Sequence, residues 1–237
     1  GLHAASAALA NPDRQIAKVL ATRNAANRAG MNPEALPPNV SLVEPGELDG
    51  RLPPGAVHQG IAVLAEQLEG LALEDAIMRP ERPLAILDQV TDPQNVGAIL
   101  RSAAAFGFGG VVQQTRHAPP LGGALAKAAA GAVEIVPEIR VVNISRAIDA
   151  LNDAGWLVVG LAGEGDMELR AALSDPRPIA LVLGAEGAGV RQGVAKACSL
   201  LAKIPMSGAI ESLNVSNAAA IAFYEASQRG SGAVHKE

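Results

Sequence analysis

The second half of the sequence contains six short apolar runs that are continuous rather than alternating, and this pattern restricts the fold more than any other feature. The runs cover residues 84–87, 110–113, 139–142, 156–161, 179–183 and 200–204. Stretches of helical character lie near 95–106, 121–130, 144–154, 190–197 and 214–229. A strand that is apolar on both faces must be covered on both sides, and helices between the strands supply that cover. The sequence therefore predicts an α/β domain with a parallel sheet.

The first 65 residues predict a smaller unit in which helices and strands also alternate. We expect helices near 3–10 and 24–35, and strands at 16–20, 40–43 and 61–64. From Glu66 to Pro83 the chain is acidic and contains a glycine and two prolines, which is typical of a connector. The predicted organisation is an N-terminal domain over 1–65, a linker over 66–82, a larger domain over 83–229 and a flexible, glycine-rich tail over 230–237.

Composition excludes several classes of protein. The 19 basic against 24 acidic residues argue against nucleic-acid binding by bulk charge, and five aromatic residues (three Phe, one Trp and one Tyr) leave few platforms for stacking bases. One cysteine and four histidines without ligand spacing predict a site without metal and a reducing compartment. The apolar runs are far shorter than the ~20 residues of a membrane helix, and the N-terminus lacks a signal-peptide pattern. We therefore expect a cytoplasmic protein that does not cross a membrane.

Basic residues are nevertheless concentrated in two stretches that contain no acidic residue. In the stretch over 93–133 they are Arg101, Arg116 and Lys127. In the stretch over 14–33 they are Arg14, Lys18, Arg23 and Arg28. An acidic chain that binds RNA would have to do so through such local excesses of positive charge.

Three segments place polar side chains directly after apolar strands, where open α/β sheets bind ligands. In the first, over 87–107, Asn95 occupies the position of a helix N-cap and Arg101 lies within the helix that Gly107 ends. An ordinary cap and a solvated arginine would account for this segment equally well.

The second segment, over 179–190, runs from an apolar strand into a glycine-rich turn that carries one carboxylate, Glu186. Its glycines either let the backbone approach a ligand or simply form a tight turn. No Lys-Ser or Lys-Thr follows, and the order of the glycines does not match the dinucleotide fingerprint, so phosphate-loop classes are disfavoured.

The third segment, over 202–229, leaves a strand at Pro205, forms a polar loop and enters a helix of small residues near Val215. The loop carries Ser207, Glu211, Ser212 and Asn214. The unpaired N–H groups of the helix could meet a ligand, although ordinary capping explains the segment by itself.

Taken together, the three segments resemble the SpoU, or TrmH-like, RNA ribose 2′-O-methyltransferases of the SPOUT superfamily. The matching motifs are Asn95-Val-Gly97 through Arg101, Gly184-Ala-Glu186-Gly-Ala-Gly189, and Ile204-Pro-Met206 through Ser212-Leu-Asn214-Val-Ser216. The resemblance covers residues 83–229. It implies a C-terminal SPOUT domain with a deep trefoil knot, which periodicity alone does not predict. It also implies a homodimer, for which the small residues Ala218, Ala219, Ala220 and Ala222 would allow close helix approach.

Further stretches resemble the subgroup that methylates a guanosine in the large-subunit rRNA of bacteria. They are Gly55-Ala-Val-His-Gln-Gly-Ile61, Arg116-His-Ala-Pro-Pro120 and Lys127-Ala-Ala-Ala-Gly-Ala-Val-Glu134. The start, Gly1-Leu-His-Ala4, is similar to the small RNA-binding domain of that subgroup. Two alternatives stay open, a tRNA ribose methyltransferase and a non-catalytic ribosome-assembly factor on the same scaffold.

The resemblance implies methyl transfer from S-adenosyl-L-methionine to a ribose 2′-hydroxyl. The implied catalytic residues are Asn95, Arg101, Glu186, Ser212 and Asn214. The implied cofactor-binding residues are Leu161, Ala162, Gly163, Gly184, Ile204, Met206 and Leu213. The implied contacts to ribosomal RNA are Arg116 and Lys127, with Arg14, Lys18, Arg23 and Arg28 extending the footprint.

Arg101 is the implied base, although a guanidinium with a pKa above ~12 holds no useful lone pair. Either its surroundings deprotonate it, or it lowers the pKa of the hydroxyl while water or phosphate takes the proton. The sequence does not separate these two roles.

Overall fold

A computed structural model describes residues 1–116, 118–208 and 210–229. The predicted tail over 230–237 lies outside the described residues. The elements of the first unit are α1 (Leu2–Ala10), β1 (Ile16–Ala21), α2 (Arg23–Arg28), β2 (Val40–Leu42), α3 (Pro45–Arg51) and β3 (Ile61–Ala65). They form a three-stranded sheet in the order β2-β1-β3, parallel on one side of β1 and antiparallel on the other.

The strands of this first unit lie where the apolar runs predict them, but the second helix is shorter than expected. We predicted a helix over 24–35, whereas α2 ends at Arg28. Gly30 adopts a φ of +79°, in the left-handed region that ends helices. The helical pattern in the sequence therefore extends beyond the point where the backbone turns away.

The second unit contains a seven-stranded sheet with helices on both faces. Its elements are β4 (Leu84–Asp88), α5 (Pro93–Ala105), β5 (Gly110–Gln114), α6 (Gly123–Ala129), β6 (Glu138–Val141), α7 (Ile144–Asp153), β7 (Leu157–Leu161), β8 (Met167–Glu168), α8 (Leu169–Ala172), β9 (Ile179–Gly184), α9 (Gln192–Ala197), β10 (Leu200–Lys203) and α10 (Val215–Ser227). The order is β6-β5-β4-β9-β7-β10-β8, and every neighbouring pair is parallel. The prediction of a parallel α/β sheet is confirmed.

Burial on both faces explains why the apolar runs are continuous. Along β9, Leu181 and Leu183 belong to the core beneath α5 and α10, whereas Ala180 and Val182 belong to the core beneath α7. Successive side chains of a strand point to opposite faces, so both sets must be apolar. The central strand thus has almost no exposed side chain over its first five residues.

The stretch between the units is packed rather than free. It contains α4 (Leu73–Ile77), and Ala76 of this helix is buried beside Leu84 and Ile86. The backbone N–H of Leu71 donates to the carbonyl of Glu138 at 2.9 Å. The acidic side chains that suggested a connector, Glu74 and Asp75, lie on the exposed side of the helix. Five residues are too few for a helical period to stand out in the sequence.

A buried ion pair joins the first unit to the second. The guanidinium of Arg14 donates to both carboxylate oxygens of Glu134, at 2.7 and 3.1 Å, and to the carbonyl of Glu66 at 2.7 Å. Asn11 donates to the same carboxylate at 2.8 Å. Both charged side chains are only 9% exposed. Such a pair holds the two units together, because removing either partner would leave a buried charge without compensation.

The strand order requires the chain to cross itself. β10 lies between β7 and β8, although both precede it in the chain and are joined by residues 162–166. The N–H of Ala162 donates to the carbonyl of Ala202 at 3.0 Å, and a Cβ on Gly165 would lie only 2.6 Å from the backbone of Ala202. The later strand therefore passes close beneath an earlier connection. This crossing is consistent with the trefoil knot that the family resemblance implies.

Candidate active site

The residues expected to bind a cofactor lie on three loops at one edge of the sheet. β9, β7 and β10 are adjacent and parallel, so the loops at their carboxyl ends meet. These loops carry all seven of the expected residues, which are Leu161 at the end of β7 with Ala162 and Gly163 after it, Gly184 at the end of β9, and Ile204, Met206 and Leu213 after β10. The three loops, far apart in sequence, are thus brought to one place by the sheet.

Three of the five expected catalytic side chains form a hydrogen-bonded group, which we call the Asn-Glu-Asn cluster (Asn95, Glu186 and Asn214). Nδ2 of Asn214 donates to Oδ1 of Asn95 at 3.0 Å and also to Oε1 of Glu186. Nδ2 of Asn95 donates to the same Glu186 oxygen at 3.2 Å. The cluster contains one residue from each of the three motifs, so it depends on the whole arrangement of the sheet.

The amide of Asn214 is oriented by the helix that it caps. Its Oδ1 accepts from the backbone N–H of Ser216 at 2.9 Å and from the Ser216 hydroxyl at 2.5 Å. The amide nitrogen must then point the other way, toward Asn95 and Glu186. Ordinary capping and a role in the site were alternatives in the sequence, and here the cap is what aims the amide nitrogen at Asn95 and Glu186.

Asn95 is not a helix cap, contrary to the sequence-based expectation. α5 begins at Pro93, and Asp92 is its N-cap, with the Asp92 carboxylate accepting from the N–H of Gln94 at 3.2 Å. Proline suits the first position of a helix, so the helix starts three residues earlier than an N-cap at Asn95 would place it. The side chain of Asn95 is therefore free of capping and reaches Glu186 and Asn214.

Arg101 and Ser212 do not join this cluster. Arg101 is exposed on α5, six residues beyond Asn95, which is about 9 Å along the helix and a third of a turn around it. Ser212 is exposed on the loop before α10. Neither side chain forms a hydrogen bond with another residue in the described parts of the chain. Both remain accessible to a substrate.

The glycine-rich turn after β9 needs its glycines for backbone reasons. Ala185 and Gly189 exchange two backbone hydrogen bonds, at 3.1 and 2.8 Å, and a Cβ on Gly184 would overlap the backbone of Gly189. Gly187 and Gly189 both have positive φ, at +76° and +66°. The turn is tight, as the plain structural interpretation holds, and its shape presents Glu186 toward the other two motifs.

The chemistry of this edge fits an adenosyl group. Leu161 and Ile204 are half-buried and Met206 is 40% exposed, so apolar surface faces outward beside the loops. A Cβ built on Gly163 would meet no atom within 4 Å, which leaves the backbone there open to a ligand. Apolar walls combined with a few accessible polar groups are typical of small-molecule sites.

The basic residues expected to contact RNA have different surroundings. Arg116, after β5, and Lys127, on α6, are exposed and form no ion pair with a described residue. Lys18 and Arg28 are also exposed, and Arg23 pairs with Glu34 at the surface. Arg14 is different, because its guanidinium is buried in the contact with Glu134. The expectation that Arg14 binds RNA does not fit this position.

Two further observations concern the described residues, 1–116, 118–208 and 210–229. None of their helices combines the length and apolar character needed to cross a bilayer. No three or more of their His, Cys, Asp and Glu side chains are grouped as metal ligands would be.

Comparison with known proteins assigns this chain to a family. The SpoU rRNA Methylase family matches residues 83–224. The chain is 38% identical over 234 residues to the 23S rRNA (guanosine-2′-O-)-methyltransferase RlmB of Coxiella burnetii, covering 95% of this chain and 92% of that protein. It is 42% identical over 177 residues to the protein of the same name from Vibrio parahaemolyticus, covering 73% and 71%.

A solved structure is similar over nearly the whole chain. The AdoMet-bound rRNA methyltransferase from Sinorhizobium meliloti matches with a TM-score of 0.77 and 25% identity, covering 97% of this chain and 85% of that one. The architecture is therefore that of SPOUT methyltransferases. The chain belongs to the SpoU rRNA methylase family, and the resemblance drawn from its three motifs is confirmed.

Cys198 lies beneath this edge and should be chemically inert in the folded protein. Burial, and then the nearby Asp88 carboxylate, raise the pKa of its thiol from about 9 to about 12. We expect iodoacetamide at pH 8 to alkylate the urea-unfolded chain far faster than the folded one, since the thiolate is the reactive form. Rapid alkylation of the folded protein would contradict this.

The same pKa shift predicts a dependence of stability on pH. Between pH 9 and 12 the unfolded chain loses the thiol proton while the folded protein keeps it, so the free energy of unfolding should fall as pH rises through this range. Below pH 9 the thiol should contribute no slope. Cys198→Ser should remove this part of the pH dependence in urea titrations.

Proposed function

We propose that this protein transfers a methyl group from S-adenosyl-L-methionine to the ribose 2′-hydroxyl of a guanosine in 23S rRNA. The observation that carries the proposal is the Asn-Glu-Asn cluster, which brings one residue of each SpoU motif beside the three loops suited to the cofactor. The two relatives above carry the name of this activity, and one of them aligns along nearly the full length of this chain. The reaction would take place in the cytoplasm, on ribosomal RNA.

The cofactor residues are those of the three loops. When bound, S-adenosyl-L-methionine supplies a methyl group whose carbon is open to attack by an oxygen nucleophile, because it is bonded to a positively charged sulfur. The loops after β7 and β10 offer apolar contacts through Leu161, Ile204 and Met206, and the open backbone at Gly163 offers polar ones. Gly184 keeps the turn after β9 close to this surface.

The Asn-Glu-Asn cluster positions the ribose. Both amides donate to Oε1 of Glu186, which holds the carboxylate in one orientation. Oε2 accepts no hydrogen bond from the described residues and is available to a substrate hydroxyl. A rigid acceptor of this kind fixes the direction from which the 2′-oxygen approaches, and alignment of the reacting atoms is a large part of catalysis. Ser212, two residues before Asn214, would contact the ribose or its phosphate.

Arg101 is the residue that would act on the proton of the 2′-hydroxyl. It is exposed and uncommitted among the described residues, so its planar fork can bind a substrate phosphate or ribose oxygen. Its positive charge would stabilise the oxyanion that develops as the proton leaves. Water or phosphate would then take the proton.

The N-terminal domain, residues 1–65, would hold the rRNA on the enzyme, with the segment 66–82 joining it to the methyltransferase domain over 83–229. A cavity of about 530 Å³ lies between the two units, and its lining includes Lys127 and also Gln94, the neighbour of Asn95. The RNA surface would combine Arg116 and Lys127 with the exposed Lys18, Arg23 and Arg28. Arg14 has a structural role instead, because it fixes the N-terminal domain through Glu134.

We also propose a homodimer that forms through α10, although two of the four alanines expected at its interface are not available for it. Ala219 and Ala222 are fully buried within the chain, in the core that contains α5 residues. Large apolar side chains are exposed instead, since Ile221 is 41% and Tyr224 is 50% exposed. Exposed apolar side chains on one helix face favour a second copy as the partner.

The function is tested by methyl transfer from labelled S-adenosyl-L-methionine to 23S rRNA, with unmodified tRNA as the competing substrate and 2′-O-methyl mapping as the readout. We expect a single methylated guanosine in the rRNA and none in the tRNA. Methylation of tRNA alone would identify a tRNA enzyme. RNA binding without any binding of labelled cofactor would identify a non-catalytic assembly factor.

Arg101→Lys should nearly abolish methyl transfer while cofactor binding persists. Lysine keeps the positive charge but lacks the planar fork that bonds two oxygens together. We expect a loss on the order of 10²–10⁴ in single-turnover rate, approaching that of Arg101→Ala. Arg146→Lys is the matched control, because Arg146 is exposed on α7, on the other face of the sheet. Near-normal methyl transfer by Arg101→Lys would show that neither the planar shape of the guanidinium nor its action as a base is needed.

Arg116→Ala and Lys127→Ala should each weaken rRNA binding and reduce its dependence on salt. Each lost phosphate contact should lower the slope of log affinity against log salt by roughly 0.7 to 0.9. The control is Arg177→Ala, which removes one exposed charge before β9, at the opposite edge of the sheet. An unchanged slope for Arg116 or Lys127 would remove that residue from the RNA surface.

Ile221→Glu should convert the dimer to a monomer, because it places a charge in an apolar contact. Light scattering at micromolar concentration should give twice the chain mass for the wild type and the chain mass for the variant. Val142→Glu is the control. Val142 is exposed and follows β6, the outermost strand on the side of the sheet away from β10. A wild-type protein of monomeric mass would refute the dimer.

A further inference from the structure

A buried carboxylate lies directly behind the glycine-rich turn, and no motif of the sequence pointed to it. Asp88 is the last residue of β4 and is fully buried. It accepts two hydrogen bonds from Arg191 and forms an ion pair with the same guanidinium. The backbone N–H and Nε of Arg191 donate at 2.8 Å each, and Nη2 lies 2.6 Å from the carboxylate. The two residues are 103 positions apart, so this contact exists only in the folded chain.

The pair has a specific relation to the turn between residues 184 and 191. Asp88 on β4 is the direct neighbour of Gly184 on β9, the residue where the turn begins. Arg191 follows Val190, where the turn ends, and it is the N-cap residue of α9. A single buried carboxylate therefore lies beside the start of the turn and binds its end. Hydrogen bonds between a carboxylate and a guanidinium are shorter and stronger than those between neutral groups.

Apart from its contact with Asp88, the Arg191 side chain has few restraints among the described residues. Its side chain is 48% exposed, α9 has only six residues, and no side-chain cap stabilises the start of that helix. Within the turn, the two backbone hydrogen bonds between Ala185 and Gly189 fix its local shape but not its direction. Val190 packs against the core beneath α7, and the attachment of Arg191 to Asp88 is the side-chain contact that ties the end of the turn to the sheet. Between the two ends of this turn lies Glu186, which meets Asn95 and Asn214.

We propose that Asp88 and Arg191 are positioning residues for the methyl-transfer site. They hold the turn so that Glu186 completes the Asn-Glu-Asn cluster and the Gly184 edge keeps the shape that the cofactor needs. Neither residue belongs to the cluster. The inference rests on the proposed function for its catalytic meaning, whereas the effect on the turn itself is independent of any activity.

The alternative is that the pair only stabilises the fold, and the chain offers a matched control for that case. Glu138 on β6 is also a buried carboxylate, 5% exposed, and it pairs with the partly exposed Arg140 at 2.8 Å. This second pair lies at the far end of the sheet from β10. Removing either arginine leaves a buried carboxylate without its cation, so the two losses of stability should be similar.

The first measurement is hydrogen exchange of the cofactor-free protein, comparing Arg191→Gln with Arg140→Gln. The N–H groups of Ala185 and Gly189 are hydrogen-bonded within the turn, so their exchange reports its opening. We expect exchange in peptides covering 184–191 to accelerate about tenfold in Arg191→Gln, which corresponds to ~1.4 kcal/mol. In Arg140→Gln it should stay at the wild-type rate. Equal exchange in the two variants would overturn the proposal.

The second measurement is calorimetric titration with S-adenosylhomocysteine. Arg191→Gln should raise its Kd about tenfold, while rRNA affinity and the melting temperature match those of Arg140→Gln. Arg191→Lys should recover part of the loss, because it restores the charge without the bidentate contact. Asp88→Asn keeps the shape of the side chain, and it should raise the Kd for S-adenosylhomocysteine about as much as Arg191→Gln does. Unchanged binding in folded Arg191→Gln would refute the positioning role.

These results separate this inference from the proposed function. A wild-type protein that binds no cofactor and methylates no RNA would refute the function, yet exchange in the turn would still decide whether Arg191 holds it. Conversely, an active wild type with an unaffected Arg191→Gln variant would refute the positioning role alone.

Discussion

The site depends on the position of β10 between β7 and β8. Hydrogen bonds on both sides of β10 place its carboxyl end beside the end of β7, and β7 in turn borders β9. Because all of these strands are parallel, their following loops leave the sheet at the same edge. If β10 were added at the outside of the sheet, the loop with Ser212 and Asn214 would lie farther from the glycine-rich turn. The close approach of Gly165 to Ala202 allows this crossing, since a side chain there would collide with the strand.

Within that arrangement, groups that stabilise the backbone also form the Asn-Glu-Asn cluster of the proposed site. Asn214 caps α10 with its oxygen and thereby directs its nitrogen toward Glu186. The glycines after β9 permit a tight turn that presents the same carboxylate. A functional interpretation and a structural one are therefore not in competition at these positions. The rigidity of a cap or a turn is what a site needs in order to hold a substrate oxygen in one place.

Several residues have an environment that could not be inferred from their neighbours in sequence. Arg14 lies in a basic stretch, but a carboxylate 120 positions away takes its guanidinium into a buried pair. Ala219 and Ala222 are small enough for a helix contact between subunits, yet they face α5 of their own chain. In each case residue type indicates what contact is possible, and only the packing decides which partner is used.

The sequence by itself determined the class of fold, the family and the residues of the three motifs. Continuous apolar runs require strands buried on both faces, and all six predicted strands lie within one residue of their expected bounds. Short elements such as β8 and α8 escaped notice, because two to four residues cannot display a period. The start of α5 was misplaced because Pro93 and Asp92 together outweigh Asn95 as a helix start.

Only the tertiary structure decided the order of the strands, the insertion of β10 between β7 and β8 and the contacts within the Asn-Glu-Asn cluster. It also decided that Asp88 meets Arg191, a contact across 103 positions that no local pattern encodes. The physical reason is the same for all of them. Local sequence sets backbone preferences and burial, whereas contacts between distant residues follow from how sheets and helices pack, which depends on the whole chain at once.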